Sequence, residues 1–200
     1  MLFPRGQEKD PRVLKDPRRL PPGQVLTQKW PVLSYGSPPR YDMSRWTLRL
    51  YGDVEAPATL RWPDVQALPR TAVTADMHCV TTWSRLDNNW EGVAFKDLAG
   101  LVKPRPGARY VIAHCASNYT TSVPVEVMAD DDVLVADRHD GEALIDDHGG
   151  PLRLVVPKKY AWKSAKWLEA LEWVENDRLG FWERNGYNNS ADPWLEERYW

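Results

Sequence analysis

Short segments in which apolar and polar residues alternate constrain the fold of this chain most strongly. In residues 45–51 every second residue is apolar, and residues 71–80 and 108–115 repeat the pattern. A period of two places alternate side chains on one face, which is typical of a strand buried on one side. The helical patterns between these segments are few and short. The chain is therefore predicted to have an α+β fold, a single mixed and mainly β domain with short helices.

Weaker signals predict the remaining elements. Short helices are expected after Pro63 and over residues 96–101, and further strands over residues 90–95, 133–137 and 152–156. Residues 166–175 are ambiguous, because the spacing of their apolar residues fits a helix slightly better than a strand. Residues 180–200 mix turn formers with aromatic rings and are expected to wrap the surface.

At 200 residues the chain is long enough for one domain with a substantial core. Its 26 lysines and arginines balance 28 aspartates and glutamates, so no nucleic-acid partner is expected. We find no apolar run long enough for a membrane span and no secretory signal, and we expect a cytoplasmic protein. Residues 1–24, rich in proline and charge, are predicted to be an N-terminal arm that resists helix and sheet, and residues 25–200 the domain.

The first candidate for chemistry is Cys79, which lies where the predicted strand over residues 71–80 ends, with Arg85 six positions later. A thiolate is a soft metal ligand, and a nearby cation favours its deprotonation. The alternative is a small buried core residue, which is the commoner role of a lone cysteine. The local sequence leaves both interpretations open.

A second candidate is the segment 148–157, which begins His148-Gly149-Gly150 and is followed by several lysines. The glycines allow a close approach of the backbone to a ligand, and His148, Arg153 and the lysines could hold a phosphate or another polyanion. A tight turn with solvated lysines is the alternative. The segment has the glycine spacing of neither a P-loop nor a dinucleotide fingerprint.

Two His-Cys pairs, His78-Cys79 and His114-Cys115, raise the question of zinc. Neighbouring strand residues point to opposite faces, and neither pair has a second metal-ligand motif nearby, so zinc is disfavoured. A nucleophilic cysteine with a histidine base has no local motif in its support either. Both cysteines are expected to be thiols, because a chain with a full-sized core needs no disulfide.

Taken in order, these segments resemble the molybdopterin-binding domain of the sulfite oxidase family, most closely its short bacterial members. The resemblance covers roughly residues 25–200 and is carried by residues 77–84, 131–133, 138–142, 148–157, 162–167 and 180–187. It implies a molybdenum–molybdopterin cofactor with Cys79 as the protein ligand of the metal. It also implies a strand rather than a helix over residues 166–175.

The resemblance further implies which residues lie around the cofactor. His148, Arg153, Ser164 and Lys166 would hold the phosphate and polar edges of the pterin. The other residues placed near the cofactor are Gln28, Lys29, Trp30, His78, Ala165 and Cys115.

The implied reaction is oxygen-atom transfer to or from a small substrate of the sulfite or S-/N-oxide class, with electrons exchanged with a separate haem, flavin or quinone protein. Sulfite oxidases follow the metal-binding cysteine with an arginine-rich stretch, whereas residues 80–84 are uncharged here. Arg85 and then His114 are the candidates for orienting the substrate. The alternatives are a protein that holds molybdopterin without turnover and a tryptophan-rich binding module.

Overall fold

A computed structural model describes residues 10–200 of the chain, which form eleven strands and five α-helices. The strands are β1 (Val25–Leu26), β2 (Thr47–Gly52), β3 (Ala58–Arg61), β4 (Thr71–His78), β5 (Trp83–Ala94), β6 (Tyr110–Cys115), β7 (Thr120–Pro124), β8 (Leu134–His139), β9 (Glu142–Ala143), β10 (Arg153–Val155) and β11 (Leu168–Val174). The helices are α1 (Pro11–Lys15), α2 (Trp62–Gln66), α3 (Phe95–Val102), α4 (Val125–Met128) and α5 (Phe181–Arg184). None of these helices is long and apolar enough to cross a membrane.

The strands form two sheets that share one core. In the first sheet the order is β1-β5-β8-β10, with β4 added beside β5 and β9 beside β8. In the second sheet the order is β3-β2-β11-β6-β7. Apolar residues from both sheets and from α3 belong to a single buried cluster, which includes Leu50, Val93, Leu98 and Trp173. The predicted mixed, mainly β domain with short helices is confirmed.

The position of β11 in the fold explains why the spacing of apolar residues over 166–175 was ambiguous. It lies inside the second sheet, parallel to β2 and antiparallel to β6. Leu168, Ala170, Leu171 and Trp173 are all buried, so apolar residues occupy both faces and the simple alternation is lost. The strand implied by the family resemblance is confirmed, and the helix that the spacing slightly favoured is wrong.

Five stretches of strand were not predicted: the two-residue strands β1 and β9, and β3, β7 and the first half of β5. In β5, Ser84 and Asn88 are fully buried beside Leu86 and Trp90 on the alternating pattern. A buried polar residue looks like a surface position in the sequence, and its hydrogen-bond partner cannot be read there. The alternation of β5 was therefore hidden over residues 83–89.

The N-terminal segment is more ordered than its composition suggested. Asp10 caps α1 by accepting from the backbone N–H of Arg12, and a 3-10 turn over Pro17–Arg19 follows. Arg19 forms ion pairs with Asp76 of β4 and with Asp87 of β5. The prediction that this composition resists helix is wrong for residues 11–19. The boundary between the arm (1–24) and the domain (25–200) stays a prediction, and residues 1–9 lie outside the described residues.

Candidate active site

Cys79 directly follows β4 and begins the turn that leads into β5. The turn closes through a hydrogen bond from Thr82 N–H to the Cys79 carbonyl, and Cys79 N–H donates to the Trp83 carbonyl. The Gln24 side chain donates to the same Cys79 carbonyl at 3.1 Å. Thr82 takes up a left-handed φ of 72°, which reverses the chain. These bonds hold the thiol at a defined place at the edge of the first sheet.

The Cys79 side chain is 7% exposed, and its Sγ lies 3.1 Å from the Thr81 hydroxyl. Burial raises the pKa of the Cys79 thiol, and the Thr81 hydroxyl and the charge of Arg198 oppose that rise. Arg85, which the sequence suggested as the neighbouring cation, does not have this role. Cys79 is thus a buried thiol whose deprotonated form needs a positive partner such as a metal ion.

A cavity of about 310 Å³ opens beside Cys79. Most of its wall is aromatic, with contributions from Trp30, Tyr35, Trp83, Tyr119, Trp162, Trp167, Trp182 and Tyr187. Charged and hydroxyl-bearing side chains on the wall are Arg153, Lys166, Ser34, Thr81 and Ser164. The cavity combines a thiol, cations and aromatic faces, so it can receive an anionic group and an apolar group together.

Arg153 is buried in this wall and forms no ion pair with an acidic residue of the described part of the chain, residues 10–200. It is 2% exposed, and its guanidinium donates to the carbonyls of His148 (2.9 Å) and Ser164 (2.7 Å). The guanidinium also lies over the rings of Trp30 and Trp90. Burial lowers the pKa of Arg153 to about 10, so the group still carries its charge at neutral pH. A buried charge without a counter-ion is unfavourable unless a ligand neutralises it.

Lys166 adds a second cation that forms no ion pair within residues 10–200. Its Nζ donates to the Ser34 hydroxyl at 2.8 Å and to the Asp147 carbonyl at 2.6 Å. Burial and the charge of Arg153 lower the pKa of Lys166 to about 8, which leaves it mainly protonated at pH 7. The two cations make this end of the cavity a candidate anion site.

His148 completes this end of the site in its neutral form. Its ring stacks on Trp30 with centroids 3.7 Å apart and planes 4° apart. Burial, followed by the charges of Lys166 and Arg153, lowers the pKa of His148 to about 4. Neutral His148 can therefore offer a hydrogen bond without adding a third positive charge.

The two glycines after His148 serve packing within the chain. Gly149 has a φ of 102°, and a Cβ there would lie 2.9 Å from the Cβ of Lys166. A Cβ at Gly150 would lie 2.3 Å from the Leu144 carbonyl oxygen. Their close contacts are therefore with the chain itself, and they bring Lys166 beside His148. The prediction that they allow close approach to a ligand stays untested.

Five of the predicted cofactor residues do not line the cavity, and His148 is one of them. Gln28 and Lys29 are exposed next to Trp30, which does line it. His78 is 1% exposed, with its Nδ1 at 2.8 Å from the Ser84 hydroxyl. Cys115 is buried in the main core, and both cysteines are free thiols. The structure thus gathers Trp30, Cys79, Arg153, Ser164, Ala165 and Lys166 at the cavity, with His148 stacked behind Trp30.

The two residues predicted to orient the substrate lie elsewhere. Arg85 donates to Asp140 at 2.6 Å and to His139 Nε2 at 3.0 Å, so its guanidinium is already engaged. His114 Nε2 lies 2.7 Å from the Glu172 carboxylate in the second sheet. The structure does not bring either side chain to the cavity. The alternation in β6 does place His114 and Cys115 on opposite faces, as predicted.

The aromatic wall was missed as part of the site. The ring centroid of Tyr187 lies 5.0 Å from that of Trp162 and 5.0 Å from that of Trp182. All three rings line the cavity beside Cys79. Two of them belong to the C-terminal segment that was predicted only to wrap the surface. The density of tryptophan and tyrosine was the available signal, but most such residues serve packing.

The fold and the cavity can be compared with known proteins. The family model described as oxidoreductase molybdopterin binding domain matches residues 35–182. The chain belongs to this molybdopterin-binding oxidoreductase family. It is therefore a molybdopterin-dependent oxidoreductase, and the cofactor predicted from the resemblance is confirmed at the level of the family.

Individual relatives agree with this assignment. The uncharacterized oxidoreductase YuiH of Bacillus subtilis is 45% identical over 182 residues, which cover 90% of this chain and 92% of that protein. The protein-methionine-sulfoxide reductase catalytic subunit MsrP of Campylobacter jejuni is 26% identical and covers 80% of this chain, which spans 61% of the relative. The crystal structure of the sulfane dehydrogenase SoxCD from Paracoccus pantotrophus matches with a TM-score of 0.65 and 25% identity, over 74% of this chain and 42% of that chain.

The residues present fit a molybdopterin cofactor. Two buried ring nitrogens have no hydrogen-bond partner within the described residues: Trp83 Nε1 in the cavity wall and His148 Nδ1 in the ring that stacks on Trp30. Buried polar atoms are nearly always paired, so these two indicate a missing ligand. Arg153 and Lys166 supply the charge that a phosphate requires, and Cys79 supplies a soft donor.

Proposed function

We propose that this chain catalyses oxygen-atom transfer between water and a small, uncharged S-oxide or its thioether, at a molybdenum ion bound by Cys79. The observation that carries this proposal is that one cavity combines a buried thiol, an aromatic wall and two cations that form no ion pair with any described residue. In the reducing direction an S-oxide takes up two electrons and two protons and leaves as the thioether and water.

The cations and the thiol have different roles in the cavity. Arg153 and Lys166 hold the anionic part of the cofactor, and His148, Ser164 and Ala165 border it. Cys79, which lies at the junction with the aromatic wall, would bind the metal. When bound, the cofactor supplies a metal centre that exchanges an oxygen atom and two electrons with the substrate. The aromatic residues exclude water and orient the substrate.

The wall beside Cys79 favours an uncharged substrate over sulfite. Trp162, Trp182 and Tyr187 carry no charge, and Arg85 is held by Asp140 outside the cavity. Aromatic faces and edges contact sulfur atoms favourably, whereas a sulfite anion requires cations or several donors. The names of two relatives, a methionine-sulfoxide reductase subunit and a sulfane dehydrogenase, also concern sulfur substrates. The electrons are exchanged with a separate redox protein.

Steady-state turnover of the holoenzyme tests this proposal. The protein is purified from a host that makes the cofactor and assayed with methyl phenyl sulfoxide and reduced methyl viologen, and separately with sulfite and ferricyanide. We expect sulfoxide reduction and little sulfite oxidation. Efficient oxidation of sulfite alone would contradict the uncharged-substrate assignment. Stoichiometric molybdenum without turnover in either assay would favour a cofactor-holding protein.

A further inference from the structure

Behind the aromatic wall lies an ion pair that is completely buried. Lys163 is 0% exposed and Glu183 is 1% exposed, and Lys163 Nζ donates to Glu183 Oε1 at 2.5 Å. Replacing a buried ion pair with apolar residues of similar volume often leaves stability unchanged or raises it. Stability alone is therefore a weak reason for this pair, and its contacts indicate another one.

Glu183 fixes one ring of the cavity wall from behind. Its Oε1 also accepts from the indole Nε1 of Trp162 at 3.3 Å and from the Thr121 hydroxyl at 2.7 Å. The backbone carbonyl of Trp162 accepts from the Tyr119 hydroxyl at 2.7 Å. Trp162 is thus held at its ring and at its backbone, and both Trp162 and Tyr119 line the cavity.

Lys163 holds the C-terminal part of the wall. Its Nζ donates to the Ser122 carbonyl at 2.8 Å and to the Asn189 side-chain oxygen at 3.1 Å. Asn189 lies two residues beyond Tyr187, whose ring contacts the rings of Trp162 and Trp182. Glu183 itself follows Trp182 in α5. A single ion pair therefore joins the backbone segments that carry three adjacent rings of the wall.

We propose that Lys163 and Glu183 form a positioning pair that fixes the angles of the aromatic rings beside Cys79 and thereby sets the affinity for the substrate. This inference rests on the proposed function. Contacts between sulfur and an aromatic ring depend on where the ring edge lies. If the rings of the wall are free to tilt, their contacts with the substrate sulfur are lost for most of the time, whereas the reacting centre at Cys79 is unchanged.

The test compares a double variant with a matched control. Lys163→Met/Glu183→Leu removes both charges and keeps the volume close to that of the wild type. Asp137→Asn is the control, because Asp137 is also buried and bonded to Gln66 and Arg70 but is not one of the residues that line the cavity. With methyl phenyl sulfoxide as substrate, we expect the KM of the double variant to be roughly tenfold higher than that of the wild-type holoenzyme, because one or two sulfur–ring contacts are lost. We expect kcat to stay within about threefold and the control to leave KM unchanged.

A second measurement does not depend on turnover. The holoenzyme is labelled with 5-fluorotryptophan, and the ¹⁹F signal of Trp162 is identified by its loss in Trp162→Phe. We expect that signal to shift and broaden in the double variant but not in the Asp137→Asn control. If wild type reduces no sulfoxide, the proposed function fails, and this signal still tests the positioning of the ring.

An unchanged Trp162 signal in the double variant, or an unchanged KM in an enzyme that turns over, would overturn the inference. Glu183→Gln is the second variant if the double variant does not fold. Its side-chain oxygen can still accept from Trp162, so we expect a smaller rise in KM than in the double variant. A fall in melting temperature without any effect on KM or on the signal would mean that the pair serves only the fold.

Discussion

Replacing Arg153 with methionine separates two contributions to the free energy of unfolding. One is the destabilisation caused by a buried charge, and the other is the stabilisation gained when that charge binds an anion. Methionine keeps an unbranched side chain against Trp30 and Trp90 but removes the guanidinium. Arg153 is 2% exposed and forms no ion pair within residues 10–200; its guanidinium donates to the carbonyls of His148 and Ser164 and, at 3.5 Å, to that of Leu154. The variant should therefore affect the apoprotein and the holoenzyme differently.

The magnitude follows from the surroundings of Arg153. Burial lowers its pKa from the ordinary arginine value to about 10, and this fall corresponds to about 3 kcal/mol of destabilisation of the folded apoprotein at any pH below 10. The variant removes that cost but loses two charge-assisted hydrogen bonds of roughly 1.5–3 kcal/mol each. The net change in the unfolding free energy of the apoprotein should be a loss of about 0–3 kcal/mol.

In the holoenzyme the variant also loses the bond from Arg153 to the anionic cofactor. A bound cofactor stabilises the native state by linkage, so this stabilisation should shrink by about 1.5–3 kcal/mol. For a chain of 200 residues that is a fall of about 3–12 °C in the difference between holo and apo melting temperatures. Calorimetry of both forms measures it, together with molybdenum content.

Lys158→Met is the matched control, because Lys158 is exposed and pairs with Asp130 at 2.7 Å. It should leave the holo–apo difference unchanged. The reasoning is refuted if Arg153→Met lowers the melting temperatures of apoprotein and holoenzyme equally. Arg153 would then serve the fold, and segment 148–157 would be a turn without a role in binding the cofactor.

Other substitutions and conditions test further parts of the account. Cys79→Ser should abolish turnover and keep the melting temperature of the apoprotein close to that of the wild type, whereas Cys115→Ser should retain turnover. The reverse result would mean that Cys115, and not Cys79, is the metal ligand. The folded pKa values of His78, His139 and His148 are lowered to about 4, so the unfolded chain binds protons first, and the unfolding free energy of the apoprotein should fall as pH decreases from 6.5 to 4. Urea titrations should show a loss of up to about 3 kcal/mol for His78 alone, and a flat profile would contradict its burial. Arg85→Gln should leave the KM for a sulfoxide unchanged and cost about 1 kcal/mol or less in stability, and a large rise in KM would restore Arg85 as a substrate-orienting residue.

The sequence predicted strands from two patterns. Strands β2, β4 and β6 were predicted from alternation, whereas β8 and β10, which are buried over most of their length, were predicted from short apolar runs. Strand β11 shows neither pattern clearly, because both of its faces are covered and glutamates interrupt the apolar run, and only the family resemblance identified it. In β5 the alternation was masked by the buried Ser84 and Asn88, whose hydrogen-bond partners come from distant positions in the chain.

The residues of the candidate site were also predicted only in part. Cys79, Arg153 and Lys166 lie in distinctive motifs, and the structure brings them to one cavity. The aromatic wall was not predicted, because Trp182 and Tyr187 reach the cavity only through the path of the C-terminal segment. Arg85 shows the opposite error, since closeness in sequence to Cys79 does not bring its side chain to the cavity when Asp140 binds it.

Binding of the metal by Cys79 in this cavity is the central claim, and molybdenum K-edge X-ray absorption tests it most directly. The fine structure counts the sulfur atoms around the metal in the purified holoenzyme, and the same measurement is made on the metal retained by Cys79→Ser. We expect one fewer sulfur neighbour in Cys79→Ser than in the wild type. The same sulfur count in both proteins, or a wild-type protein that contains no molybdenum, would contradict the claim.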